Sequence, residues 1–325
     1  MTICRTGNTV NFGTFSLTVT PTGLYTDGRF DFAGCSTKTQ AQGTISGYTS
    51  GGSPANDTID KFSFTADANA TDVGNLSQSR NNIGTGQSSA QSGYTSGGGS
   101  VDTIDKFPFS SDTDATDVGN LTQARSFIGG GQSSSVSGYA SSGLAGSNSN
   151  VIDKFPFSSD TDATDVGDIS IARTGLSGQS STENGYASGG SVYPPVQDTI
   201  DKFPFASDTN STDVGQLFEA RRLAAGQSSA TNGYASGGVD GAAAPTVSTI
   251  DKFPFAADAA ATDIGELSQA RHAAAGQSST QSGYTSGGNP PAADTIQKFS
   301  FATDANATDV AELTQARGDV MGQQV

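Results

Sequence analysis

The chain predicts an all-β fold, a six-bladed β-propeller, from three observations. A unit of 45–50 residues recurs six times, marked by Tyr48, Tyr94, Tyr139, Tyr186, Tyr234 and Tyr284. Each unit divides into four short strand-like segments, which is the arithmetic of a propeller blade. The last residues, MGQQV, match the first strand of a unit, and the first unit has only a degraded match to that strand, QAQGTIS.

Composition agrees. Hydrophobic residues make up 33% of the 325, there is no Trp, and 42 residues are Gly. Gly excess without a G-X-Y period implies many tight turns and short strands. No extended stretch carries a 3.6-residue apolar stripe, so long helices are excluded. Ile, Phe, Tyr and Leu recur at fixed places, which sets the chain apart from a disordered one.

The template runs GQSSxxSGYxSGG, a variable loop, TIDKFxF, a polar turn, then ATDVGxLxxAR. GQSS and GYxSGG read as two strands joined by a small polar turn. In TIDKFPF, Phe107 and Phe109 share one face at period two and Ile104 falls on the other, so this third strand is buried on both faces. Pro108 lacks an N–H, and the strand is expected to leave the sheet there. Val118 and Leu121 mark a fourth, shorter strand.

Six units follow, beginning near residues 47, 93, 138, 185, 233 and 283 of a 43–325 propeller. The C-terminal strand is expected to complete the first blade, which removes the free edges of the ring. Residues 1–42 remain as a small N-terminal β extension. NTVNFGTFSLTVTP and GLYTDGRFDFAG within it read as extended segments. It holds Cys4 and Cys35, either one disulfide or two free thiols, and serves as a docking or oligomerisation segment or as a cap.

The Gly-Gly after the second strand, the Tyr before it, the aromatic third strand and the closing Leu-x-x-x-Arg resemble the kelch repeat. The resemblance covers roughly residues 40–325. Where kelch repeats carry a Trp on the fourth strand, this chain has Val118, Val166, Val214 or Ile264.

The net charge of −16, with 16 basic residues spread about one Lys and one Arg per repeat, disfavours nucleic acid and anionic lipid as partners. MTICRTGNTVNF lacks the apolar core of a signal peptide. No stretch approaches the roughly 20 apolar residues of a membrane span, so no membrane insertion is expected.

The acidic turn between strands three and four reads DANATD, DTDATD twice, DTNSTD, DAAATD and DANATD. Alternate carboxylates resemble a calcium loop. The fifth position is always Thr, the turn Gly and downstream Glu are missing, and Ala260 stands at the middle ligand position of one copy. The expectation is a polar turn with side chains bonding nearby N–H groups, and no metal. The junction arginines Arg80, Arg125, Arg173, Arg221, Arg271 and Arg317 recur with the Asp of TDVG, and a structural ion pair or carbonyl contact between blades is expected.

Catalysis has little material. The single His, His272, occupies a position that is Asn81, Ser126, Thr174, Arg222 or Gly318 elsewhere, and reads as surface loop. A Ser-His-Asp triad, a copper centre or a differentiated carboxylate pair is not supported. The chain is read as a non-enzyme without cofactor.

The loops between Gly-Gly and the third strand vary most in length and share one face of the ring. Rigid scaffolds commonly carry recognition in such loops. Tyr193, Pro194, Pro195, Asp240, Pro290 and Pro291 are the candidate ligand-binding residues, the prolines with Tyr193 as a stiff apolar patch.

The IDKFPF…ATDVG…AR…GQSS…GYxSGG repeat is also similar to repeats in predicted structural proteins of aquatic bacteriophages, including cyanophages. That resemblance implies a virion protein, such as a fibre, tail appendage or capsid decoration. Residues 1–42 would anchor it to other virion proteins, and the propeller would meet a host-surface glycan or receptor. The alternatives are a secreted or surface carbohydrate-binding or carbohydrate-active propeller and a kelch-like interaction adaptor.

Overall fold

A computed structural model describes residues 42–192, 195–241 and 245–325. The expected extension, with Cys4 and Cys35, lies outside the described residues apart from Gln42. The regular elements among the described residues are all strands, gathered into six four-stranded antiparallel sheets. The predicted six-bladed propeller is therefore the observed fold.

From the axis outward, blade 2 runs Thr85–Ser88, Ser92–Ser96, Val101–Pro108 and Thr116–Arg125. Blades 3 to 6 repeat that order. Blade 1 is composite: its innermost strand is Met321–Gln324, paired antiparallel to Ser46–Ser50, with Asn56–Ser63 and Thr71–Arg80 outside. The C-terminal strand thus closes the ring as the degenerate QAQGTIS implied.

Each strand has the residues its radius demands. The inner strands meet around the axis, where Gly86, Gly131, Gly178, Gly226, Gly276 and Gly322 form a ring. A Cβ on any of them would overlap the carbonyl of its neighbour, so only Gly fits this approach. The second strand carries a Gly directly opposite a Phe, as in Gly93↔Phe107. The ring of that Phe lies where a Cβ would be, so the aromatic covers the glycine's bare backbone.

On the third strand Ile104 and Phe107 face opposite ways, as the alternation predicts. Ile104 packs with Tyr94, Leu121 and Phe155 toward blade 3, and Phe107 with Tyr48 and Ile59 toward blade 1. The hydrophobic core is thus divided into six clusters, one per blade junction. Pro108 is the last residue of its strand. A bulge after Ile104 re-aims the fourth strand, where Gly119 sits at φ +157.

The fourth strand departs from expectation in two blades. It spans five residues in blades 3 to 6 but ten in blades 1 and 2. There the third strand starts early, at Asn56 and Val101, and gives Arg80 and Arg125 a pairing partner.

Candidate functional site: the variable-loop face

Function on a propeller depends on how its blades are locked and on what the lock leaves exposed. Up to four layers lock each junction here, three of them at all six and the ion pair at five, always from one blade to the next. Near the axis the inner-strand Gln donates to the next blade's Tyr carbonyl, as in Gln87 Nε2 to Tyr139 O at 2.9 Å. Further out that Tyr stacks on the following blade's second Phe: Tyr94 and Phe157 have centroids 4.9 Å apart. Burial pushes the Tyr48 and Tyr186 hydroxyls up to about 12.

The third layer is a buried ion pair, and it corrects the sequence expectation. The junction arginine does not pair with the Asp of TDVG. It pairs with the Asp of IDKF in the next blade: Arg80–Asp105 at 2.6 Å, Arg173–Asp201 at 2.8 Å, Arg221–Asp251 at 2.7 Å, Arg317–Asp60 at 3.0 Å, and Arg125–Asp153. Asp105 faces a junction beside Phe107 and is wholly buried, so its charge requires a partner there. Asp117 is exposed and accepts the N–H of Gly119 instead, at 3.2 Å. The arginines also clamp loop bases, as in Arg80 Nη1 to Gly97 O at 2.9 Å and Thr103 O at 3.0 Å.

The fourth layer resolves the acidic turn. The first Asp of DTDATD pairs with the preceding blade's Lys, as in Lys106–Asp160 and Lys154–Asp208, both at 2.8 Å. The middle Asp or Asn reaches back to a backbone N–H of that blade: Asn120 N donates to Asp162 Oδ1 at 2.9 Å and Asp168 N to Asn210 Oδ1 at 3.0 Å. The third Asp bonds the Gly two residues on, an Asx turn. The turn is thus more than local: two of its three acidic positions are inter-blade contacts.

The loops of variable length emerge on the face away from these turns. Five are clipped at the base to the connection entering their own blade. Ser53 pairs with Gly318, Ser126 with Leu144, Thr174 with Ser191, Arg222 with Val239, and His272 with Asn289. At the last clip His272 N donates to Asn289 O and Asn289 N to His272 O, each at 2.9 Å. His272 is therefore a loop anchor, not the simple surface residue its variability suggested. Its ring meets Thr246 at 3.2 Å, and burial together with nearby Arg222 lowers its pKa. Backbone pairing tolerates any side chain, which explains why the sequence varies there.

Inside the loops lies a shallow dimple of about 70 Å³ above the glycine ring, where Leu176, Leu223, Ala274 and Val320 alternate with the bare backbone of the glycines. Around it Asn82, Phe127, Gly175, Leu223, Ala273 and Asp319 all take left-handed φ of +51° to +64°. Successive members are linked by backbone hydrogen bonds, such as Leu223 N to Gly175 O at 2.7 Å. The Asp319 carboxyl accepts from Asn82 N–H where this ring closes between blades 1 and 2, and burial raises its pKa.

Of the candidate ligand residues, Pro195, Asp240, Pro290 and Pro291 are exposed on this face. Tyr193 and Pro194 lie outside the described residues. Pro195 and the Pro290–Pro291 pair belong to the loops of blades 4 and 6, and blade 5, with Asp240, stands between them. The face also holds Arg222 and His272, whose position reads as surface loop in the sequence, and Thr246 and Asn289, which no shared residue type marks.

No protein-family model matches the chain, and no curated protein matches it.

Proposed function

We propose that the chain is a non-enzymatic bacteriophage virion protein, a fibre, tail appendage or capsid decoration, with a kelch-like propeller. It attaches to other virion proteins through residues 1–42 and offers its loop face to a glycan or receptor on the host surface. The phage reading is supported by the repeat residues alone, IDKFPF…ATDVG…GYxSGG. The observation that carries the division of labour is geometric. Gln42 donates to Ser279 O, and Gly43 bridges Ser279, on the acidic-turn face. The loops that differ in length open on the opposite face.

Non-enzymatic action is supported by what the carboxylates do. The first Asp of each acidic turn pairs with a Lys, and the Asp of IDKF in five blades pairs with an Arg, so neither set stands free as an acid–base pair. Co-sedimentation with purified particles tests the proposal. Full-length protein is expected in the particle fraction and residues 43–325 in the supernatant. Retention of the truncated chain on particles overturns the anchor, and absence of the full chain from particles overturns the virion assignment.

A further inference from the structure

One of the six junctions lacks its buried ion pair. In blade 6 the third strand reads TIQKF, so Gln297 stands where the other blades have Asp60, Asp105, Asp153, Asp201 and Asp251. Arg271, only 3% exposed, consequently has no carboxylate partner among the described residues. Its Nη1 bonds Gly287 O at 2.8 Å and Thr295 O at 3.4 Å, and Nη2 reaches Gln269 Oε1 at 3.4 Å. Gln297 accepts from Ser268 N at 2.7 Å, but its own amide nitrogen is buried without a hydrogen-bond partner.

Both the missing charge and the orphan amide sit at the centre of the junction. The other layers persist there: Gln227 to Tyr284 O, Tyr234 on Phe301, and Lys252 to Asp304. We propose that the junction between blades 5 and 6 is a built-in seam at which the ring loosens and frees the base of the loop carrying Pro290 and Pro291. Gly287 and Thr295, the carbonyls Arg271 holds, flank that loop. In the other blades the clamping arginine is itself fixed by a carboxylate of the next blade. Here opening hydrates an uncompensated guanidinium and an unsatisfied amide and breaks no buried ion pair, whereas opening any of the other five junctions breaks one. Burial lowers the Arg271 pKa, opposed mainly by Asp309 and Asp294.

The seam is independent of particle attachment and is tested on the full-length chain in solution. Hydrogen exchange followed by mass spectrometry compares residues 284–298 with their counterparts 94–106, 186–202 and 234–252. Exchange at 284–298 is expected to be roughly tenfold faster or more. Gln297→Asp restores the carboxylate and is expected to bring the rate down to that of the other blades. Asp105→Gln, which copies the seam into blade 2, is expected to accelerate 94–106. Equal exchange in the wild type overturns the seam, as does a folded Gln297→Asp variant with unchanged rates. Should Gln297→Asp fail to fold, an Asp105→Gln variant without acceleration overturns it alone.

Discussion

Arg317 bonds Asp60 at 3.0 Å although 257 residues separate them, and both side chains are buried. This contact joins the last junction to the first blade. Asp60 also accepts from Thr314 N at 3.1 Å and Thr314 Oγ1 at 2.7 Å, so one carboxylate ties blade 6 to blade 1 three times. Beside it Tyr284 stacks on Phe64 with centroids 4.8 Å apart, and Lys298 pairs with Asp67 at 3.0 Å. The closing junction is built like those made by consecutive blades.

Asp60→Asn therefore leaves a buried guanidinium uncompensated and should lower stability by about 3–5 kcal/mol. Guanidinium chloride unfolding measures this. A loss below about 1 kcal/mol, the worth of an exposed pair, would show that the closing contact is solvated.

Phe218 stands where other blades have Ser or Thr, and its side chain is 56% exposed. Its N–H bonds Asp251 Oδ2 at 2.9 Å, but Oδ1 is buried without a partner, and burial raises the Asp251 pKa. In blade 2, Thr122 Oγ1 meets the equivalent Asp153 at 2.6 Å. Phe218→Thr should therefore stabilise the fold by about 1 kcal/mol.

The sign of the pH dependence follows from the raised folded-state pKa. The burial cost of ionised Asp251 is fully present above that pKa and vanishes once the group is protonated in both states. The gain from Phe218→Thr should be full at neutral pH and shrink as pH falls through it. Thermal melts across that range would contradict the assignment if the gain grew on acidification.

Ala260 is the one middle position of the acidic turn without an Asp or Asn. At the equivalent place Asn306 Oδ1 accepts from Glu266 N at 3.1 Å. Ala260→Asn should supply the same bond to Gln216 and add about 0.5–1.5 kcal/mol. Urea unfolding of the pair of proteins decides it, and no gain would mean the turn contact is neutral.

Ser142 takes φ +71, a conformation filled by Gly97 and Gly189 in neighbouring blades. Ser142→Gly should stabilise blade 3 by about 1 kcal/mol through relief of left-handed strain. The hydroxyl contact it gives up, to Ile128 O, is long at 3.4 Å. A melting temperature that falls would show that this contact outweighs the strain.

Repetition made the fold legible. Six aligned copies exposed the period-two face of Ile104 and Phe107, and MGQQV announced the closing strand. The junction chemistry was less legible. Each unit carries several Asp, and spacing does not say which belongs to the partner blade. Asp105 was recognisable in principle as a charge beside Phe107 on a strand buried on both faces. The inner-strand Gln carried no such signal, since its acceptor is a backbone carbonyl about fifty residues away in the next blade. The candidate loop residues were visible as departures from the template. What clips the loops was not, because the clips are backbone pairs that leave no residue signature.

The attachment and presentation of the propeller are tested together by imaging an intact particle at a resolution that shows blades. Six-bladed discs are expected on the particle surface, with density for residues 1–42 meeting a neighbouring virion protein and the Pro195, Asp240 and Pro290 loops facing outward. Discs with that loop face pressed against the particle, or particles without the protein, would contradict that arrangement.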